Sequence, residues 1–123
     1  VALNQTICGL NSTYVTPAGT LRDTDWYAFV VPTSGTYTIT VCAEHSVDVG
    51  FVTNTAGNIT SCGAGQAFVA PGGVIVPANV QTTVQRTLVG GQTVALFVAN
   101  GTGSTLNPCA GGTNDYRIRI TTP

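Results

Sequence analysis

The sequence is poor in charge and in the residues that favour helices. Only nine of its 123 residues are charged, which is 7%, whereas a typical soluble domain has about 25%. Lysine and methionine are absent, glutamate occurs once, and no segment repeats its apolar residues at helical spacing. The pattern therefore argues against a helical fold. Hydroxyl and amide groups, including those of 21 threonines, must provide most of the polar surface.

The shortage of charge also argues against two classes of partner. Four scattered arginines and a net charge of -1 give no basic patch for nucleic acid or anionic lipid. No apolar run reaches the roughly 18 residues of a membrane helix, and residues 1–10 lack the basic region of a signal peptide. We expect a mature extracellular chain whose export signal has been removed and which does not insert into membranes.

Cysteine is present in an even number and at wide spacing. Cys8, Cys42, Cys62 and Cys109 form no C-x-x-C pair, and the chain has a single histidine. Zinc binding is therefore not expected, and two disulfides in an oxidising compartment are predicted. Three connectivities are possible; we favour Cys8–Cys109 with Cys42–Cys62, because first and last strands are often neighbours in β-sandwiches. Four buried free thiols in a cytosolic protein are the alternative.

Strand signals occupy most of the chain. Two segments whose successive side chains alternate between an apolar face and an opposite face flank the turn at residues 32–35. This pattern predicts a hairpin over residues 26–42. Further strands are predicted at 47–53, 59–62, 66–70, 74–77, 79–88, 92–100 and 115–122. Eight or nine short antiparallel strands separated by Gly, Pro and Asn turns predict an all-β fold. We expect one domain over residues 1–123, a jelly-roll or immunoglobulin-like β-sandwich.

The last predicted strand shows the clearest two-residue period. Tyr116, Ile118 and Ile120 should face the core, while Arg117 and Arg119 should face solvent.

Three motifs occur in the order of a known family. They are an Asp-x-Asp-x-Tyr-x-Phe strand (23–29), a Gly-Thr-Tyr-x-Ile strand (35–39), and a late hairpin at Gly90–Gly91 followed by the closing segment NDYRIRITT. Over about residues 18–122 the chain resembles the bacterial pre-peptidase C-terminal (PPC) domain. The resemblance implies a secreted, non-catalytic jelly roll attached to hydrolases or surface proteins, sometimes binding substrate or calcium.

Two acidic residues precede the first long strand. Asp23 and Asp25, with Asp48 and Asp115 as possible further donors, are too few and too dispersed for a dense calcium loop. An aspartate that accepts backbone N–H bonds and so starts the strand is the favoured interpretation. We therefore assign no metal site and expect no cofactor.

One histidine gives the only candidate for acid–base chemistry. His45 follows Glu44 and precedes Asp48, so a base with a carboxylate partner is conceivable. No G-x-S-x-G elbow surrounds any serine. We therefore predict no enzymatic activity and no catalytic residues, and interpret His45 as a turn residue.

Carbohydrate can be attached to this chain or bound by it. Asn4, Asn11, Asn58 and Asn100 each begin an N-x-[ST] sequon, and we expect all four to be exposed in turns or at chain ends. Trp26 and Tyr14 are candidates for stacking on sugar rings, although packing at the sandwich edge is the favoured role for Trp26.

The main functional hypothesis is a self-associating subunit of an extracellular fibre or coat. Edge strands are normally guarded by lysine or charge, and this chain has few charges. Residues 1–10 then supply a strand to a neighbouring copy, with Ala2, Leu3, Gln5 and Ile7 as assembly residues. The alternative is a PPC-like accessory module of a secreted hydrolase that recognises polysaccharide or protein.

Overall fold

The fold is all-β, as the sequence predicts. A computed structural model of the chain describes residues 1–54, 56–59, 65–101 and 114–123, and these contain no helix. Among them, no helix is therefore long and apolar enough to cross a membrane. The strands are β1 (Thr6–Leu10), β2 (Thr13–Thr16), β3 (Gly19–Arg22), β4 (Thr24–Val30), β5 (Gly35–Ala43), β6 (Val47–Asn54), β7 (Gln66–Phe68), β8 (Val74–Val76), β9 (Thr82–Leu88), β10 (Thr93–Asn100) and β11 (Asp115–Thr121).

Two antiparallel sheets form a sandwich. The four-stranded sheet has the order β1-β11-β5-β9. The five-stranded sheet has the order β4-β10-β6-β7. Its fifth strand, β8, also pairs with β6, on the same side as β7 but at the opposite end of β6. A separate hairpin, β2–β3, follows β1. The described residues thus contain eleven strands rather than the predicted eight or nine.

The core lies between the two main sheets and follows the two-residue period of their strands. In β11 the side chains of Tyr116, Ile118 and Ile120 are each 1% exposed, whereas Arg117 and Arg119 are exposed. The same alternation buries side chains from β5, β6, β9 and β10. The predicted inward and outward faces of β11 are therefore confirmed, and they fix which side chains reach solvent.

The N-terminal strand belongs to the sheet of its own chain. Thr6–Leu10 pairs with β11, and Leu3 and Ile7 pack against the core. The N-terminal ammonium group of Val1 donates to the carbonyl of Ala28, and Asn4 N–H donates to the carbonyl of Ile120, so the first residues bridge the two sheets. In the single chain, β11 is the partner of β1. The donation of residues 1–10 to a neighbouring copy stays a prediction.

The predicted hairpins over residues 26–42 and at Gly90–Gly91 are wrong, because β4 and β5 lie in different sheets, and so do β9 and β10. The β2–β3 hairpin was not predicted, because the segments on either side of its turn at residues 17–18 lack the apolar–polar alternation of a core strand. Of the predicted strand 59–62, the structure describes only Ile59, which belongs to no strand and follows an isolated bridge between Asn58 and Thr93. Residues 60–62 lie outside the described part.

Candidate functional site

An open groove runs along the outer face of the four-stranded sheet. It has a volume of about 700 Å³. Its lining is Thr6, Thr40, Cys42, Ala43, Glu44, Asn79, Gln81, Asp115, Tyr116, Arg117, Ile118, Arg119 and Thr121. We call this concavity the polar groove, because most of the residues that line it carry hydroxyl, amide, carboxylate or guanidinium groups.

The floor of the polar groove follows from the position of β11 inside the sheet. Because β11 lies between β1 and β5, its outward side chains rise from the middle of the face rather than from an edge. Arg117 is aligned with Cys8 and Cys42, and Arg119 with Thr6 and Thr40. Each arginine is therefore flanked on both sides by small, uncharged side chains, which leaves room above the sheet.

Two of the four arginines of the chain have structural partners. Arg22 lies 3.7 Å from an Asp48 carboxylate oxygen, donates to the carbonyl of Asn100 at 2.9 Å, and lies 6.0 Å from the centre of the Phe97 ring. Arg86 is 7% exposed and donates to the backbone carbonyls of Gly72 and Gln85. Both guanidinium groups are thus used to hold the fold.

The other two arginines, Arg117 and Arg119, are exposed, and we call them the arginine pair. Within the described ranges, the single ion pair is that of Arg22 with Asp48, so neither member has a carboxylate within 4 Å. The arginine pair is therefore available to a ligand in the polar groove.

One end of the polar groove carries two carboxylates. Glu44 N–H donates to the carbonyl of Asp115 at 2.9 Å, and Asp115 N–H donates to the Glu44 carboxylate at 3.2 Å. Asp115 precedes Arg117 by two residues on the same face of β11. The polar groove is thus negative at this end and positive towards Arg119.

Trp26 lies on the other sheet. Its ring packs edge-on against Phe97 with centroids 5.0 Å apart, its indole N–H donates to the Thr24 hydroxyl at 3.2 Å, and it is half-buried. Tyr14 is 49% exposed on the β2–β3 hairpin. The two aromatic residues singled out in the sequence lie on different sheets, and neither lines the polar groove.

Asp25 points between the sheets and has a different partner from the one expected. Its carboxylate accepts from the Tyr116 hydroxyl at 2.6 Å, and the Tyr116 and Tyr27 hydroxyl oxygens are 2.5 Å apart. Burial, followed by these two hydrogen bonds, raises the pKa of Tyr116 above its ordinary range, and burial also raises that of Tyr27. Asp25 therefore ties β4 to β11. Among the described residues, no group of three or more His, Cys, Asp or Glu side chains is placed to hold a metal ion.

His45 does not form the imagined base–carboxylate pair. Of the two carboxylates near it in the sequence, Asp48 is paired with Arg22, and Glu44 accepts from the Asp115 N–H. His45 is 8% exposed, and neither ring nitrogen has a hydrogen-bond partner in the part of the chain that is described. Burial lowers its pKa, against opposing effects of Glu44 and Asn100, while burial raises the pKa of Asp48 against the opposing effect of Arg22. The geometry therefore provides no carboxylate to orient the imidazole ring.

The sequons divide into two exposed and two buried sites. Asn4 and Asn58 are exposed, and glycosylation there stays a prediction. Asn11 is fully buried and Asn100 is 1% exposed, and the Asn11 amide donates to the carbonyls of Asp23 and Val98. The expectation that all four are exposed is wrong. Asn11 and Asn100 face the interior at one end of the sandwich, where a glycan has no room.

The cysteines of the four-stranded sheet are free thiols in this structure. Cys8 is exposed and Cys42 is half-buried. Arg117 lies between them in the register, so they are two strands apart and too distant to bond to each other. The predicted pairs Cys8–Cys109 and Cys42–Cys62 are not confirmed, because Cys62 and Cys109 lie outside the described residues.

Sequence reasoning identified the outward arginines but not the site that they form. The available signal was that two of only four cations occupy alternate positions of one strand. What the sequence lacked was the strand order, which places Thr6 and Thr40 beside them.

Comparisons with known proteins give a distant structural likeness. No protein-family model matches the chain, and no curated protein sequence does. A solved structure of the carbohydrate-binding module CBM6cm-2 from Cellvibrio mixtus lichenase 5A, in complex with cellotriose, aligns over 99% of each chain. The identity is 20% and the TM-score 0.37.

Proposed function

We propose that this chain is a non-catalytic extracellular module, a PPC-like accessory module of a secreted hydrolase. In this proposal it binds polysaccharide through the polar groove. The observation that carries the proposal is the groove itself, an open volume of about 700 Å³ on the four-stranded sheet, lined mostly by residues with polar side chains. The family resemblance of residues 18–122 supports the same assignment.

The lining suits the chemistry of sugars. Sugar hydroxyls both donate and accept hydrogen bonds, and the groove offers donors and acceptors of several kinds. Threonine hydroxyls do both, the amides of Asn79 and Gln81 do both, the arginine pair donates, and Glu44 accepts. Because the floor is a hydrogen-bonded sheet, the backbone positions that carry these groups are fixed before a ligand arrives.

A steric variant tests the site without changing its charge. Thr40→Phe places a ring in the groove beside Arg119, whereas Thr87→Phe places the same ring on the same face outside the groove. We expect the parent chain and Thr87→Phe to be retarded equally in gels that contain soluble polysaccharides, and Thr40→Phe to migrate freely. Equal retardation of both variants, or no retardation of the parent by any neutral or acidic polysaccharide, would contradict the proposal.

Self-association is a second candidate because of one observation. On the β2–β3 hairpin, the side chains of Tyr14, Val15 and Leu21 are 49%, 73% and 46% exposed. Tyr14 and Leu21 are opposite each other and share a face, which makes an apolar surface that a second copy can cover. Analytical ultracentrifugation of the parent and of Tyr14→Ser/Leu21→Ser tests this. The candidate requires a concentration-dependent oligomer that the variant loses, and a monomer at all concentrations contradicts it.

A further inference from the structure

We infer that the polar groove selects polysaccharides that carry negative charge, as carboxylate or sulfate groups, and that the arginine pair holds this charge. The inference rests on the proposed function and names the substrate class of the same groove.

The first argument concerns how the chain uses its few cations. It has four arginines and no lysine. Arg22 and Arg86 hold carboxylate and carbonyl groups within the fold, whereas the arginine pair has no acidic partner within 4 Å in the described residues. In a chain this poor in charge, the two cations without structural partners share one groove.

The second argument is geometric. Arg117 and Arg119 are two residues apart on one strand and face the same side, so their Cα atoms are about 7 Å apart. A guanidinium group presents paired N–H donors that match the two oxygens of a carboxylate or sulfate group. The neighbours of the pair in the register are threonine and cysteine, which leaves its donors unobstructed.

The third argument concerns the polarity of the groove. Glu44 and Asp115 lie at the end next to Arg117, and Arg119 is one further step away from them along β11. The acidic end repels a charged substituent but accepts hydrogen bonds from neutral hydroxyl groups. The charged group of the ligand is therefore held nearer to Arg119, and Arg119 should contribute more to binding than Arg117.

The experiment uses two matched pairs of soluble polymers. Polygalacturonic acid is compared with its fully methyl-esterified form, and dextran sulfate with dextran. Each pair shares a backbone and differs in charge, and the two pairs separate carboxylate from sulfate recognition. Affinity electrophoresis and calorimetry measure the binding of the parent chain, Arg117→Gln/Arg119→Gln and the two single variants.

A charge-matched control removes the contribution of net charge. Thr20→Glu/Val30→Glu lowers the net charge by two, as the double arginine variant does, but changes exposed residues outside the groove. We expect the parent and this control to bind one of the charged polymers at least about tenfold more tightly than its neutral partner. We expect the double variant to lose that preference, and added salt to weaken the preference in the parent.

The outcomes separate this inference from the proposed function. If the chain binds the charged and neutral polymers equally, and Thr40→Phe abolishes both, polysaccharide binding stands and the charge selectivity is overturned. If the charged polymer is preferred but the double variant keeps the preference, or the control loses it equally, the arginine pair is not its cause. If no polymer binds, both proposals fail.

Discussion

The outer face of the four-stranded sheet carries threonine, glutamine and the arginine pair, whereas that of the five-stranded sheet carries alanine, valine and three aromatic rings. On the second face, Phe97 lies between Trp26 and Phe68, with ring centroids 5.0 and 5.4 Å away. Val52, Ile59, Ala95 and Ala99 complete a small apolar cluster there. The arginine pair on the first face is exposed, whereas the side chains of this apolar cluster are buried or half-buried.

The difference gives one outer face of the sandwich a packing role and leaves the other available for the proposed binding. The five-stranded sheet buries apolar groups on both of its faces, so its outer face adds a second, smaller core. The four-stranded sheet buries apolar groups on its inner face, which leaves its outer side chains without a packing role. Substitutions on the two outer faces should therefore affect different properties of the protein.

The largest expected effect is on stability, at Phe97. Phe97→Ala removes a side chain that is 7% exposed and leaves a cavity between Trp26 and Phe68. We expect it to lower the free energy of unfolding by about 3–4 kcal/mol. Thr83→Val, on the outer face of the four-stranded sheet, should change it by no more than about 0.5 kcal/mol. Urea unfolding measures both, and similar losses would remove the contrast between the faces.

An intermediate effect on stability is expected at Arg22, which lies over Phe97, and none at Arg117. Arg22→Gln removes the partner of Asp48, whose side chain is 13% exposed, and the contact over Phe97. We expect a loss of about 1 kcal/mol in unfolding free energy, kept small because the Arg22 side chain is 38% exposed. Arg117→Gln should leave stability unchanged but weaken polysaccharide binding. Thermal unfolding and affinity electrophoresis of both variants check this, and a reversed result would contradict the division of roles.

The smallest effect concerns pH at the end of the sandwich where His45 is buried. Because burial lowers the folded-state pKa of His45 below 6.5, the unfolded chain binds the proton more readily. Stability should therefore fall as the pH drops below 6.5, until the folded-state pKa is reached, and His45→Gln should reduce this slope. His45 lies outside the groove lining, so binding at saturating ligand should not follow the same titration. Unfolding free energies measured across this pH range test the sign, and an equal slope in His45→Gln would contradict it.

Much of the sheet pattern was predictable from local sequence because alternation is a local property. The inward Tyr116 and the outward Arg117 follow from period two alone, and so does the placement of Trp26 opposite Tyr27. The interpretation of Asp23 or Asp25 as a residue that starts a strand by accepting backbone N–H groups is not confirmed for Asp25, whose partner, Tyr116, lies 91 residues away. No local pattern reports a contact of that separation.

The candidate site was predictable only in part, for the same reason. The two arginines are visible in the sequence, but their threonine and cysteine neighbours come from β1 and β5, in the first half of the chain. The burial of Asn11 and Asn100 was also missed, because their sequons have the composition of exposed turns. Their positions at one end of the sandwich, between the sheets, decide their accessibility.

The sequence by itself determined an all-β chain with inward and outward faces, since side-chain alternation and turn residues act over a few positions. It also determined that four arginines would be the only cations other than the terminus and histidine. Tertiary structure decided which of these arginines are used internally and which remain on the surface. It did so because the order of strands in a sheet is set by the burial of the whole core, and that order brings distant residues to the same face.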